Sequence, residues 1–194
     1  NTYTVEFYQG NNSTTAGATK LGEQTFTYGQ AQNLTTYANL GGAVPTPGGW
    51  SFYGWTDNNG TTSTTRKYTN GQSVSNITTT NNGVIKVYAL FSRYINVYSE
   101  INKASGTTNR KTQIYNPYKT TGSITAVSLA VPNSIEGWET LGYRTTTAAT
   151  TATTAVTTTA VNVTPAYNTT ATTYYAVYRR NLTMAYNGNG ATGG

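Results

Sequence analysis

Val84-Ile85-Lys86-Val87-Tyr88-Ala89-Leu90-Phe91-Ser92-Arg93 and Thr173-Tyr174-Tyr175-Ala176-Val177-Tyr178-Arg179-Arg180 are the stretches that decide the fold. In the first, Ile85, Val87, Ala89 and Phe91 alternate with Lys86, Tyr88 and Leu90. A period of two, built from β-branched and aromatic residues, predicts a strand. In the second, Tyr175-Ala176 matches Tyr88-Ala89 and Arg180 matches Arg93, all 87 positions apart. The same offset pairs Tyr28 with Tyr115 and Val44-Pro45 with Val131-Pro132. One residue further, Gly49-Trp50 pairs with Gly137-Trp138, and Gly54-Trp55 with Gly142-Tyr143. Landmarks that keep one order and nearly one spacing predict an internal duplication. The expected organisation is a module over 1–93, a more degenerate one over 94–180, and a remainder over 181–194. The closing strand of each module runs straight into Tyr94-Ile95-Asn96-Val97-Tyr98 or Asn181-Leu182-Thr183-Met184-Ala185-Tyr186. No flexible linker separates the modules, so stiff coupling is expected. Residues 181–194 read as the first strand of a truncated third repeat or as a strand donated to a neighbour, with Leu182, Met184 and Tyr186 on its apolar side.

Composition supports a β-rich chain. Charged residues are 9% and aromatic residues 12%, with 17 Tyr and 20 Gly, and Thr is roughly a fifth of the chain. Disorder goes with high net charge and few aromatics, the opposite balance. There is no cysteine and no histidine, which excludes disulfides, thiolate metal sites and the usual general base. No cofactor is expected. No apolar run is long enough to span a membrane, and membrane insertion is not expected. The chain opens in strand pattern at Asn1-Thr2-Tyr3-Thr4-Val5 with no signal peptide, as expected of a processed chain or an internal fragment. The net charge of +6 is dispersed over short groups such as Arg66-Lys67, Arg110-Lys111 and Arg179-Arg180. A nucleic-acid footprint needs clustering, so no nucleic-acid partner is expected. Attraction to anionic wall polymers is open on charge grounds.

Within the first module, Thr4–Tyr8 and Gln24–Tyr28 read as strands, and Gln30–Leu40 is ambiguous between a loop and a short helix. Pro45, Pro47, Gly48 and Gly49 make a turn before the extended aromatic segment Trp50–Trp55. Gly54, flanked by Tyr53 and Trp55, predicts a bulge or a close backbone approach. The low-complexity stretch Thr145–Thr173 reads as strands because β-branched residues dominate it and charge is absent.

Thr25-Phe26-Thr27-Tyr28-Gly29, Gly49-Trp50-Ser51-Phe52-Tyr53-Gly54-Trp55 and Val87-Tyr88-Ala89-Leu90-Phe91 together form a pattern that resembles the Listeria–Bacteroides repeat, the B repeat of internalin surface proteins. Tyr186-Asn187-Gly188-Asn189-Gly190 is similar to the opening of another copy. The second module departs from the pattern, with Tyr143 in place of the second Trp and Asn116 in place of Gly29. The resemblance implies an α+β, β-grasp-like module whose mixed sheet wraps at most one short helix or a loop. It also implies a bacterial extracellular or cell-surface setting and no shared catalytic residues. The expected partners are neighbouring repeats, copies of the same chain in a filament, or a surface glycan or host ligand.

Reactive groupings are few. Glu136 and Glu139 bracket Trp138, but three residues apart on an extended segment they face opposite sides. Asp57-Asn58-Asn59-Gly60 reads as a turn, without the distal Glu of a calcium loop. An intramolecular isopeptide bond would need Lys86, Glu6 and an Asn to converge. Asn-x-Ser/Thr sequons occur at a frequency that this Asn- and Thr-rich composition explains. The function expected is a non-enzymatic structural or adhesive section of an extracellular protein. A carbohydrate- or protein-binding, lectin-like module using Trp50, Trp55 and their counterparts is the alternative.

Overall fold

A strand has two edges, and the pairing of both edges of one long strand organises this protein. The computed structural model describes residues 1–10, 19–46, 48–57, 63–98, 109–117, 123–145 and 161–190. β1 (Thr2–Tyr8) pairs antiparallel with β2 (Lys20–Thr27). Further along come β3 (Gln32–Asn33), β4 (Ser51–Thr56) and β5 (Ser73–Val74). β6 (Val84–Tyr98) is 15 residues long and lies parallel to β1, with Tyr8 opposite Tyr88. Tyr88 also faces Thr56 in an antiparallel ladder, which puts β4 on the other edge of β6.

β6 does not stop at Arg93, where the sequence places a module boundary; it continues unbroken through that point. Its later residues pair antiparallel with β7 (Asn109–Asn116), Phe91 facing Tyr115 and Val97 facing Asn109. After β8 (Ser123–Ile124), β9 (Val127–Leu129), β10 (Glu139–Arg144) and β11 (Val161–Val163), the chain reaches β12 (Thr173–Arg179). β12 lies parallel to β6, Tyr175 opposite Tyr98, and antiparallel to β10. The order around the early part of β6 is therefore β4-β6-β1-β2, and around its late part β10-β12-β6-β7. Each set has one parallel pairing flanked by antiparallel strands. Each set also carries a bulge at a glycine, between Phe52 and Gly54 and between Thr140 and Gly142. β8 extends the sheet from β7, while β3 with β5 and β9 with β11 form two small separate ladders.

The sheet is mixed, and no helix occurs among the described residues. The ambiguous segment Gln30–Leu40 forms β3 and a turn. Its backbone is diverted from helical bonding because Leu34 N donates to Gln72 O at 2.9 Å and Tyr37 N to Asn70 Oδ1 at 2.9 Å. Of the strands expected over Thr145–Thr173, β11 is present and β12 begins at its end; residues 146–160 lie outside the described residues, as do residues 58–60 of the candidate turn. The strand expected over residues 181–186 does not form. A lone strand has unpaired backbone on both edges, and no described segment lies alongside to pair with it. Among the described residues no helix is long and apolar enough to cross a membrane.

Alternation along β6 builds the interior. Val87, Ala89 and Phe91 enter a core with Tyr3, Val5, Phe7 and Trp55. Four residues past Phe91, Ile95 and then Val97 enter a second core with Val127, Leu129, Tyr143 and Tyr174. Arg93 belongs to the same inward row and sits between the two cores.

Candidate functional site

Strand parity commits the Arg93 side chain to the interior, where every guanidinium N–H needs an acceptor. Arg93 is 3% exposed and Gln113, its neighbour on β7, is fully buried. Arg93 Nε donates to Gln113 Oε1 at 2.8 Å. Nη1 donates to Thr169 O at 2.6 Å, and Nη2 to Ala166 O at 2.8 Å and Pro165 O at 3.3 Å. The guanidinium lies 4.3 Å from the centre of the Trp50 ring, a cation–π contact in a desolvated place. Gln113 is itself anchored, its Nε2 donating to Pro165 O at 2.9 Å.

Trp50 comes from the first half of the chain and the Pro165–Thr169 loop from the second. Trp50 Nε1 donates to Tyr167 O at 2.8 Å across this boundary. Tyr115 stacks on Tyr167, with centroids 4.7 Å apart and planes within 4°, and meets Trp50 at 5.5 Å. Gly48 opens the space: its φ is 134°, and a Cβ there would come within 2.8 Å of both Arg93 Nη1 and Thr169 O. A side chain at Gly48 would push the loop off the cation.

The cation is balanced by carbonyl dipoles and a π face; no ion pair to Arg93 occurs among the described residues. Burial holds its pKa below the usual arginine value, yet guanidinium is basic enough to stay charged. Burial, and then the neighbouring Tyr167, push Tyr115 up to about 12. A permanently charged donor facing backbone carbonyls has no proton to exchange and no bond to make. What this arrangement does is hold one half of the chain against the other.

The sequence landmarks fall into four groups. Trp50, Trp55, Tyr88, Tyr115 and Tyr143 are buried, Trp55 and Tyr88 completely. The rings of Trp50, Trp55, Tyr115 and Tyr143 fill the two cores, Tyr88 stacks on Tyr8 at 5.5 Å, and none presents an open face for a ligand. Tyr28 is half-buried with its hydroxyl donating to Thr80 O at 2.8 Å, and Tyr175 stacks on Tyr98 at 5.3 Å. Gly54 has a φ of 148°, and a Cβ there would meet Tyr68 O at 2.5 Å, because residues 67–68 cross over β4 and bond to Trp55. Gly142 has a φ of 111° at the corresponding bulge; Gly49 and Gly137, at 69° and 76°, sit in turns with open space around them. At the far end Trp138 is half-buried, while Leu182, Met184 and Tyr186 are 76%, 73% and 87% exposed.

Among the described residues Glu6, Glu23, Asp57 and Glu139 are held in ion pairs. Glu6 accepts from Lys20 at 2.7 Å and from the Tyr8 hydroxyl at 2.9 Å, and the Lys20 bond holds its carboxyl below the ordinary value. Lys86 sits 5.7 Å from the Tyr8 ring centre, and among the described residues it makes no hydrogen bond to Glu6 or to an Asn. Glu139 is paired with Arg179 at 2.6 Å, and Glu136 lies exposed in the turn before Trp138, so they form no acid pair. No group of three or more acidic side chains is placed to hold a metal among the described residues.

Trp50 and Tyr115 are the sequence landmarks that the structure brings together at the seam. Arg93 was visible in the sequence only as a spacing marker. The available signal was its inward parity, a lone cation in an otherwise apolar row. Gln113 and the loop carbonyls carried no signal, since backbone acceptors exist at every residue. No protein family model matches the chain, and neither a curated protein nor a solved structure matches it.

Proposed function

We propose that this chain is a non-enzymatic, load-bearing section of a bacterial extracellular surface protein, in which two copies of one β-grasp-like module of about 87 residues are joined rigidly. The observation that carries the reading is the joint. One strand, β6, is the last strand of the first unit and the first strand of the second, and Arg93 in its middle binds the second unit's loop. Bending there must break the β6 ladders and strip a buried cation of its carbonyls. The shared strand order, the glycine bulges 88 positions apart and the Arg–Trp pairs all support two copies. The aromatic residues are consumed as core, which favours a spacer over a sugar-stacking lectin surface. The sequence resemblance to the Listeria–Bacteroides repeat supports the surface setting and the family's adhesive or spacer role.

Small-angle scattering of the chain and of Arg93→Ala tests the joint. The expected result is one fixed separation of the two units in the parent and a broadened distribution in the variant. A broad distribution already present in the parent would rule out a rigid spacer. Protease treatment of intact source cells tests the location: the segment should be released without lysis, and a segment accessible only after lysis would refute the surface assignment.

A further inference from the structure

Arg180 lies over Trp138 at 4.8 Å, as Arg93 lies over Trp50 at 4.3 Å. The two arginines are 87 positions apart and the two tryptophans 88. The first pair is sealed by the Pro165–Thr169 loop, whereas Arg180 is exposed and Trp138 only half-buried. The residues that follow match as well. Phe7 lies opposite Val87 in one parallel ladder, and Val97 lies opposite Tyr174 in the other. Val87 and Tyr174 are 87 positions apart, so Phe7 and Val97 hold equivalent places, as do Val5 and Ile95. Leu182 and Met184 follow Arg180 at the spacing with which Ile95 and Val97 follow Arg93. Val5, Phe7 and Ile95 are fully buried and Val97 is 3% exposed; Leu182 and Met184 are 76% and 73% exposed.

Building on the reading that the two halves are copies, we infer that Arg180, Trp138, Leu182 and Met184 form a docking surface, with residues 181–186 becoming its strand on binding. The occupant is a β-rich unit of the kind built by residues 109–179, with its first-strand slot open. Such a unit supplies what β6 receives at the seam. An antiparallel strand covers one edge as β7 does, and a parallel strand the other as β12 does. An apolar pair matches Val127 and Leu129, and loop carbonyls replace solvent on the guanidinium as those of Ala166 and Thr169 do. Strand completion of this sort gives affinity through main-chain bonds and register through alternate side chains. A second copy of this chain is not the occupant, because its own slot holds Thr2–Tyr8 with Tyr3, Val5 and Phe7 fully buried. Exchanging three large inward residues for Leu182 and Met184 would bury less apolar surface.

The test is to append a second copy of residues 100–180 directly after Tyr186, which restores the spacing of the first joint, and to follow amide exchange. The amides of 182–185 should slow at least about tenfold relative to the 194-residue chain, approaching those of 95–98. Leu182→Asp with Met184→Asp should abolish that protection, while the outward Thr183→Asp should leave it. Unprotected tail amides in the extended chain, or equal loss with Thr183→Asp, would overturn the inference. So would self-association of the 194-residue chain that the Leu182→Asp, Met184→Asp variant abolishes, since the occupant would then be a second copy. A separate variant keeps the two readings apart: Tyr94→Asn, Ile95→Leu, Asn96→Thr, Val97→Met and Tyr98→Ala place the tail sequence inside β6. If that chain keeps its second core while the extended chain stays unprotected, the copies stand and the docking surface falls. If the second core also melts, the equivalence of the two halves fails.

Discussion

Arg93→Ala is the substitution that separates a held joint from a mere sequence boundary. Removing the guanidinium does not orphan every acceptor it touches. Pro165 O keeps Gln113 Nε2, and Ala166 O keeps the Thr169 hydroxyl at 2.9 Å. Gln113 Oε1 and Thr169 O lose the donors recorded for them. A buried acceptor left unpaired costs about 1–3 kcal/mol; Gln113 Oε1 is one, whereas Thr169 is an exposed residue whose carbonyl water can reach, so the two together cost about 1–3 kcal/mol. The cavity adds to this, and relief from holding a desolvated charge subtracts. The net loss expected is about 2 kcal/mol, a sizeable part of the roughly 5–15 kcal/mol that holds a domain together. Because the seam ties two cores, the loss should also appear as a change of cooperativity. Urea unfolding followed by tryptophan fluorescence and far-ultraviolet dichroism should show one transition in the parent and two in the variant. Arg93→Met fills the volume without supplying donors, and should recover only the cavity portion. The reasoning is refuted if Arg93→Ala costs less than about 1 kcal/mol and unfolds in one step, or if Arg93→Met is as stable as the parent.

Gly54→Ala places a Cβ against Tyr68 O and forces a φ that L residues avoid, and should cost about 2–4 kcal/mol; Gly49→Ala, with a positive φ but open space, should cost about 1 kcal/mol, and thermal midpoints distinguish them. Alkaline stability should track the buried tyrosines. Burial pushes Tyr88 and Tyr115 up to about 12 from an ordinary 10.0, so the neutral form is the one the fold favours. Their contribution is then complete below pH 10 and lost as pH rises through 12; tyrosinate absorbance should rise together with loss of β dichroism, and full ionisation near pH 10 with the fold intact would contradict it. Trp55→Ala, at a fully buried ring, should cost about 3–5 kcal/mol in a denaturation series, and Trp138→Ala, at a half-buried ring, clearly less.

What could be read from the sequence was whatever strand periodicity and repetition encode. The inward row of β6 is written in Val87, Ala89, Phe91, Ile95 and Val97, and the glycines at 54 and 142 mark bulges where φ is one that L residues avoid. Residues 30–40 were harder, because Ala31, Leu34 and Ala38 have helical spacing while Asn70 and Gln72, more than thirty positions away, take the backbone donors that a helix would use. The seam was hardest. Its acceptors are carbonyls of a loop, which residue types do not mark, and Arg93 sits 72 to 76 positions away from them. The tail could be read as an alternating apolar strand, but pairing depends on a second strand, and sequence alone does not bring one alongside.

A cation in the inward row also answers why β6 crosses between two cores without sliding. Slipping a strand by one residue turns its whole row to the opposite face, so Ser92 and Tyr94 would enter in place of Phe91, Arg93 and Ile95. A slip by two residues keeps the parity and costs an all-apolar strand little. Here it would carry Arg93 into the place of Phe91 or Ile95, among aromatic and aliphatic side chains and away from the carbonyls of Ala166 and Thr169. An unpaired buried charge is among the costliest defects a fold can hold. Arg93 therefore penalises both slips, and the place it accepts is the one where Gln113, Ala166 and Thr169 face it. An apolar residue at 93 would merge the cores and remove the two-residue penalty, so the register of the joint rests on the least hydrophobic side chain in its interior.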